Sequence, residues 1–288
     1  MKISQLITTF NRSVQLGRTL NRLSRLTKPD ELVIVDDGSV DSTKEVVKNA
    51  EARLRIPIKY IFRDKKGYDV CSIPRNIGIK NCSHEFIAVT EPECLFITDV
   101  IKQFKEASIA RPNDVISAGI VYFTNPETPI DGTVSVNPQS FIDNVWDVKK
   151  FPMHAEDRFD KDGNRIIYTQ ATVTKAKNMT APFSAMYKKD WLFEIGGWDE
   201  DFSLIHGGGG YAWDDTDLLT RLRIKGHNQD INRNIKVIHQ WHDRPPIEVA
   251  NGMKKNEGMF MAKKLSGENE RPDNPELIAN KGREWGIL

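Results

Sequence analysis

Apolar and polar positions along this chain repeat with two periods, one of strands and one of helices. Ile3 to Thr9 is an apolar run of strand length, and the next segment places Leu16, Leu20, Leu23 and Leu26 at helical spacing. After a break at Pro29-Asp30 the strand pattern returns from Glu31 to Val35. Ser42 and Glu45 then have the spacing of a capping box, opening a helix with Val46, Val47, Ala50 and Leu54 on its inner side. Ile58 to Phe62 predicts a third strand, Pro74 to Lys80 a short helix, Glu85 to Val89 a fourth strand, and Asp99 to Ala110 another helix. Repeated strand-then-helix order with apolar strands predicts an α/β fold: a mostly parallel central sheet flanked by helices. Ligands of such sheets bind at the carboxyl ends of the strands.

From about Val121 to Lys177 periodicity weakens and Pro, Asn, Asp and Gly become frequent, which predicts an insertion facing substrate. Regularity returns with a strand over Ala181 to Tyr187, then a helix with Asp190 as N-cap and Gly196 as stop. Asp215 to Lys225 predicts a helix ended by Gly226, and Ile235 to His239 a last strand. From residue 246 to 288 the chain is polar, with one helix around Met253 to Leu265, and has the look of an appendage.

Composition narrows the function classes. A formal net charge of +1 on 288 residues gives no electrostatic reason to expect nucleic acid or an anionic membrane as partner. Cys71, Cys82 and Cys94 are odd in number and lack CxxC spacing, against both a disulfide framework and a zinc site. No apolar run approaches the ~20 residues of a membrane span, and the chain opens directly on a strand pattern, so a cytoplasmic location is expected.

Polar clusters sit where apolar runs end. ELVIVDDGS carries Asp36 and Asp37; the fourth strand runs into Glu91-Pro92-Glu93; VIHQWHDR carries His239 and His242. The most concentrated cluster is GGGGYAWDDTD, four glycines from Gly207 followed by Asp214, Asp215 and Asp217 at the start of a helical pattern. Carboxylates at a helix N-terminus are expected to be held ionised by the partial positive charge there. One of them capping the helix leaves the others for chemistry, because three acids in one turn repel each other.

Taken in order, LITTFNR, ELVIVDDGSVDST, IPRNIGI, EFIAVTEPEC, EIGGWDEDF and YAWDDTDLLTRL resemble glycosyltransferase family 2 of the GT-A fold, with a galactosyltransferase-like C-terminal acidic motif. The resemblance spans about residues 3 to 245 and implies a single catalytic domain over 1–245. Residues 1–98 would form the nucleotide-sugar-binding half and 99–245 the acceptor half, with the variable insertion at about 121–178. It implies transfer of a sugar from a nucleotide diphosphate donor, most simply a UDP-sugar, to the hydroxyl of a glycan or other acceptor, with inversion at the anomeric carbon. Thr8, Thr9 and Asp37 fall at nucleoside contacts, and Lys66, Arg75 and Asn76 at contacts to the nucleotide or its phosphates. Glu91-Pro92-Glu93 replaces the family's usual Asp-x-Asp. Glu93 is the implied ligand of Mn²⁺ or Mg²⁺, with Glu91 in support and His239 closing the shell; His242, three positions on, serves equally. Asp215 is the implied general base, Asp214 a hydrogen-bond partner of acceptor hydroxyls, and Trp198 and Trp213 stack on sugar faces. The four glycines suit a hinge that closes over donor. A retaining GT-A enzyme, a nucleotidyltransferase and a non-catalytic sugar-nucleotide or glycan-binding module are the rival readings.

Overall fold

The computed structural model describes residues 1–65, 67–124, 130, 136–139, 155–157, 184–243, 246, 249 and 251–287. Lys66 and most of the 121–178 insertion lie outside them. Nine strands among these residues form one sheet, ordered β3-β2-β1-β4-β8-β6-β9-β5, with β7 paired to β6. The strands are β1 (Ile3–Thr9), β2 (Glu31–Asp36), β3 (Ile58–Phe62), β4 (Phe86–Thr90), β5 (Cys94–Phe96), β6 (Val115–Phe123), β7 (Ala155–Asp157), β8 (Ser184–Lys188) and β9 (Gln229–His239). Helices are α1 (Ser13–Leu23), α2 (Thr43–Leu54), α3 (Ser72–Asn81), α4 (Val100–Ala110), α5 (Lys189–Glu194), α6 (Asp214–Ile224) and α7 (Met253–Ala262).

The expected parallel sheet is the β3-β2-β1-β4 half. Strand β8 enters antiparallel to β4, and β6 is antiparallel to β8 in turn. Two reversals restore the direction, so β6 and its parallel neighbour β9 point the same way as β1, β2 and β4. Thr9, Asp36, Thr90 and His239, the last residues of four strands, therefore reach one edge of the sheet. Strand period divides the core between its faces. Ile3 and Ile7 of β1, with Leu32 and Ile34 of β2, meet Leu16, Leu20, Val47, Leu54 and Phe104 of α1, α2 and α4. Leu6, Val33 and Val35 face the other way, onto Ile73 and Ile77 of α3, Leu192 of α5 and Leu218 and Leu222 of α6.

Several local expectations are corrected. Ser42 makes no side-chain cap; Asp41 accepts from the Thr43 amide instead, at 3.1 Å. Asp190 lies inside the first turn of α5, whose N-cap is Lys188. The segment after residue 246 is no appendage. Asn256 of α7 donates to the carbonyls of Phe202, Tyr211 and Ala212 and accepts from the Gly209 amide at 2.7 Å. Lys263 pairs with Asp199 and, at 2.7 Å, with Asp217.

These contacts pack part of the glycine run expected as a hinge. A Cβ on Gly209 would stand 2.0 Å from the carbonyl oxygen of Gly252, so two backbones cross where no side chain fits. Gly207 has open space around it and a φ of +86°. Gly209→Ala is therefore expected to cost about 2–3 kcal/mol through overpacking, against about 1 kcal/mol for Gly207→Ala from its left-handed backbone. Paired denaturant melts that rank the two variants equally would contradict this packing.

Candidate active site

At the shared strand edge two adjoining cavities meet, with Tyr68, Cys71 and Glu91 on the walls of both. The larger, of about 280 Å³, has Arg75, Asp214, Asp215 and His239 on its walls. The smaller, of about 80 Å³, is bounded by Thr8, Thr9, Asp37, Glu93 and His242. Segments some two hundred positions apart in sequence thus converge on one cleft.

In the smaller cavity Asp37 is buried between Arg63, at 2.7 Å, and Lys65. Its backbone amide donates to the carbonyl of Thr9 at 2.8 Å, which fixes the end of β2 to that of β1. The Thr9 hydroxyl is buried without a hydrogen-bond partner among the described residues, a group that a bound ligand would satisfy. Asp36 is the turn former: it accepts from the Ser39 amide at 2.8 Å and from the Tyr60 hydroxyl at 2.5 Å. The two acids of the Asp36-Asp37 pair thus divide their work, and only Asp37 faces the cavity.

Glu93, His239 and His242 each offer a donor atom within 4.8 Å of the others. Glu93 Oε1 lies 3.8 Å from His239 Nε2 and 3.4 Å from His242 Nε2, while Oε2 is buried with no partner among the described residues. Burial alone would raise the Glu93 carboxyl; the hydrogen bond from His242 and the nearby charge of both imidazoles outweigh it and hold the carboxyl below its usual range. Burial draws His239 down, whereas for His242 the bond and charge of Glu93 overcome burial and raise it. Both histidines join the cluster. Glu91 does not: its carboxylate accepts from Arg75 Nη2 at 2.6 Å.

In the larger cavity Asp215 sits in the first turn of α6. Its Oδ1 accepts from Arg75 Nη1 at 2.7 Å and from the indole Nε1 of Trp198 at 2.9 Å. Oδ2 has no hydrogen-bond partner among the described residues, on a side chain 26% exposed. Arg75 reaches Asp214 as well, at 3.3 Å. The helix N-terminus fails to keep Asp214 in the ordinary carboxylate range: burial, then the charge of Asp215, push its carboxyl up to about 7 against the pull of Arg75. Burial also pushes Glu91 up. Three carboxylates around one guanidinium cannot all be neutralised by it. The Cys71 thiol, pushed up to about 12 by burial, is no nucleophile at neutral pH.

Four sequence-predicted contacts are corrected. Arg75 turns to the acids at the cavity wall, in place of phosphates. Asn76 is fully buried, with its amide spent on the backbone of Trp198 and on Glu200. Trp198 is 1% exposed, so its indole holds Asp215 and has no face for a sugar. Trp213 stacks on Phe260 of α7 at 5.3 Å and is also buried. The larger cavity is lined instead by Tyr68 and Tyr211, their rings 6.3 Å apart and tilted by 57°. Tyr211 precedes the acids by three positions in a polar, glycine-rich stretch, where no periodicity marks it.

Comparison with known proteins bears on this arrangement. Residues 4–191 match the family model described as glycosyl transferase family 2. The chain belongs to that family. It is similar to validoxylamine A glucosyltransferase of Streptomyces hygroscopicus subsp. jinggangensis, 29% identical over 252 residues (84% of this chain and 56% of the relative). Chondroitin synthase of Pasteurella multocida is 26% identical over 243 residues, 78% of this chain and 23% of that one. The chain thus spans about half the length, or less, of these curated relatives. The GT-A fold is shared with the mannosyltransferase PcManGT from Pyrobaculum calidifontis, solved with GDP-Man and Mn²⁺, at a TM-score of 0.57 and 14% identity over 96% of this chain and 68% of that one. Staphylococcus aureus TarS 1-349 with UDP-GlcNAc gives a TM-score of 0.54 and 14% identity, covering 87% and 61%. Among the described residues of this family 2 chain, no helix is long and apolar enough to cross a membrane.

The raised Asp214 carboxyl has a pH signature. Its folded value lies above the unfolded one, so the stability it contributes is present at acid pH and is lost as pH rises from 3.8 toward about 7. Asp214→Asn removes the titration. Its melting temperature relative to the parent protein should increase between pH 4 and 7 and level off above; a difference independent of pH would show that Asp214 ionises normally.

Proposed function

We propose that this protein is a metal-dependent, inverting glycosyltransferase that moves a sugar from a nucleotide diphosphate donor, a UDP-sugar, to an acceptor hydroxyl, with Asp215 as general base. The observation that carries this reading is the cleft itself: Asp215 and His239 line one cavity, and Glu91 joins it to a second one bounded by Thr9, Asp37, Glu93 and His242. An anionic proton acceptor therefore shares a cleft wall with a cation-binding cluster, the opposition that a one-step displacement needs.

Thr8, Thr9 and Asp37 would take the nucleoside. Glu93, His239 and His242 fit a divalent cation: the three donors converge, and the buried Glu93 Oε2 is left unsatisfied without one. Two imidazoles with one carboxylate suit Mn²⁺ better than Mg²⁺, which prefers oxygen ligands. Such an ion supplies positive charge to the leaving diphosphate. The fold relative from P. calidifontis carries GDP-Man and Mn²⁺, and TarS carries UDP-GlcNAc; both support a nucleotide sugar here, and the first supports a metal.

On the acceptor side Arg75 and Trp198 fix Asp215 through Oδ1 and leave Oδ2 to take the proton. As the acceptor oxygen bonds to the anomeric carbon, the bond from that carbon to phosphate breaks and its electron pair leaves on the diphosphate. Asp214, raised toward neutrality, orients acceptor hydroxyls. Tyr68 and Tyr211 take the sugar-facing role expected of the tryptophans.

A panel of nucleotide sugars assayed with Mn²⁺, Mg²⁺ or chelator tests donor and metal together. Mn²⁺ should support more turnover than Mg²⁺ and chelator should abolish it, while His242→Ala should raise the Mn²⁺ concentration needed for half-maximal turnover by at least about tenfold. Full activity in chelator would end the metal assignment. Asp215→Asn should lower transfer about 10²–10⁴-fold with UDP binding nearly intact by calorimetry. Equal loss of both would make Asp215 a structural residue, and a product with retained anomeric configuration would favour the retaining alternative.

A further inference from the structure

We propose that Asn280, near the C-terminus, is a positioning residue for Asp215 that acts through Trp198; the inference rests on the reading of Asp215 as base. Trp198 supplies one of the two donors on Asp215 Oδ1, so where its indole sits decides where that oxygen sits. The tryptophan follows two glycines in left-handed backbone, Gly196 at φ +73° and Gly197 at φ +72°. The two glycine amides are bonded back to Phe193 and Leu192, and Arg221 holds the carbonyls of Ile195 and Gly197; the amide and carbonyl of Trp198 itself are left to side chains.

Two asparagines supply those. Asn76 of α3 grips Trp198 at both ends of its peptide, accepting from its amide at 2.9 Å and donating to its carbonyl at 2.8 Å. Asn280 closes from the opposite side. Its Nδ2 donates to the same Trp198 carbonyl at 2.7 Å and to that of Gly196 at 2.8 Å, while its Oδ1 accepts from the Glu200 amide at 3.0 Å. Three of its bonds thus fall on residues 196 to 200. The flanking chain is tied to the same turn: the Ala279 amide donates to Ile195 at 2.9 Å and the Gly286 amide to Glu200 Oε1 at 2.8 Å. Asn280 itself has a φ of +54°, a conformation that asparagine tolerates better than most residues.

The backbone angle also selects the variant. Asn280→Gly removes the amide and keeps the left-handed turn accessible, so side-chain loss is read without added strain. With Trp198→Phe, which deletes the indole N–H, and the double variant, it forms a cycle. If Asn280 acts through Trp198, Asn280→Gly lowers kcat for the donor and metal chosen by the panel about tenfold or more, with donor KM little changed. The double variant is then no slower than Trp198→Phe alone. Exchange of the Trp198 indole proton, followed by NMR without any substrate, should quicken about tenfold or more in Asn280→Gly while that of buried Trp213 holds. Additive losses in kcat, an unchanged Trp198 exchange rate, or equal quickening at Trp198 and Trp213 would each overturn the proposal. Survival of transfer in Asp215→Asn would instead overturn the base assignment, and the exchange measurement would still report whether Asn280 holds Trp198.

Discussion

One buried cation organises the larger cavity of this molecule. Arg75, 4% exposed, puts one guanidinium nitrogen on Glu91 and the other on Asp214 and Asp215. It thereby joins the end of β4 to the first turn of α6 through a helix, α3, that is buried over Ser72 to Ile79. Taking such charges out of water costs several kcal/mol per ion unless each is paired. The pairing fixes distances between elements that hydrophobic contact would leave free to slide. Arg75 also lies over the Trp198 ring at 5.4 Å, so guanidinium, indole and carboxylate form one layer. Asn76, the next residue of α3, holds the backbone of that same tryptophan. Two adjacent buried polar residues of one helix thus govern the acid, one directly and one through its partner.

The arrangement is also incomplete in charge. Glu91, Asp214 and Asp215 face one arginine, and the raised Asp214 and Glu91 carboxyls are the molecule's own response. Protonation turns a carboxylate from a pure acceptor into a group that can also donate. The neighbouring cavity answers differently. There Asp37 is matched by Arg63 and Lys65, and Glu93 lies against two histidines, of which its bond and charge raise His242 while burial holds His239 down. The cleft is therefore divided into a compartment whose buried aspartate has two cations and one in which three carboxylates share a single guanidinium.

How much of this was legible in the sequence follows from where the determining contacts lie. Strands β1 to β4 and their helices could be read because one face or both faces of each are apolar at a fixed period, and the period is a local property. Strand β6 escaped because it runs into the weakly patterned middle of the chain, and β5 because three residues carry no period. At the site, residue types after strands marked Asp37, Glu93 and His239, and an acidic cluster at a helix start marked Asp215. Which partner each took was not legible. Arg75 resembles a phosphate ligand in sequence and is claimed by acids more than a hundred positions away. Trp198 and Trp213 have the composition of sugar platforms, but both are consumed by packing. Only the fold distinguishes a tryptophan face turned outward from one turned in.

The C-terminal segment shows the same limit from the other side. The family match ends at residue 191, yet Trp198, Asp215, His239 and His242 all lie beyond it. So do the polar residues that hold them. Asn256, Lys263 and Asn280 each bond to the turns that precede α6 or to its first turn. A polar stretch without period reads as solvent-exposed tail, because sequence pattern reports burial only when burial is apolar. Here the burial is polar: amides close onto carbonyls of irregular backbone that no helix or strand could satisfy. Irregular backbone is what lets Ala212 and Trp213 adopt positive φ, +61° and +73°, and bring Asp214 and Asp215 to the cleft. The cost of those turns, about 1 kcal/mol or more for each left-handed residue, has to be offset by contacts beyond them. The residues that look least structured in the sequence are therefore the ones on which the geometry of the acid depends.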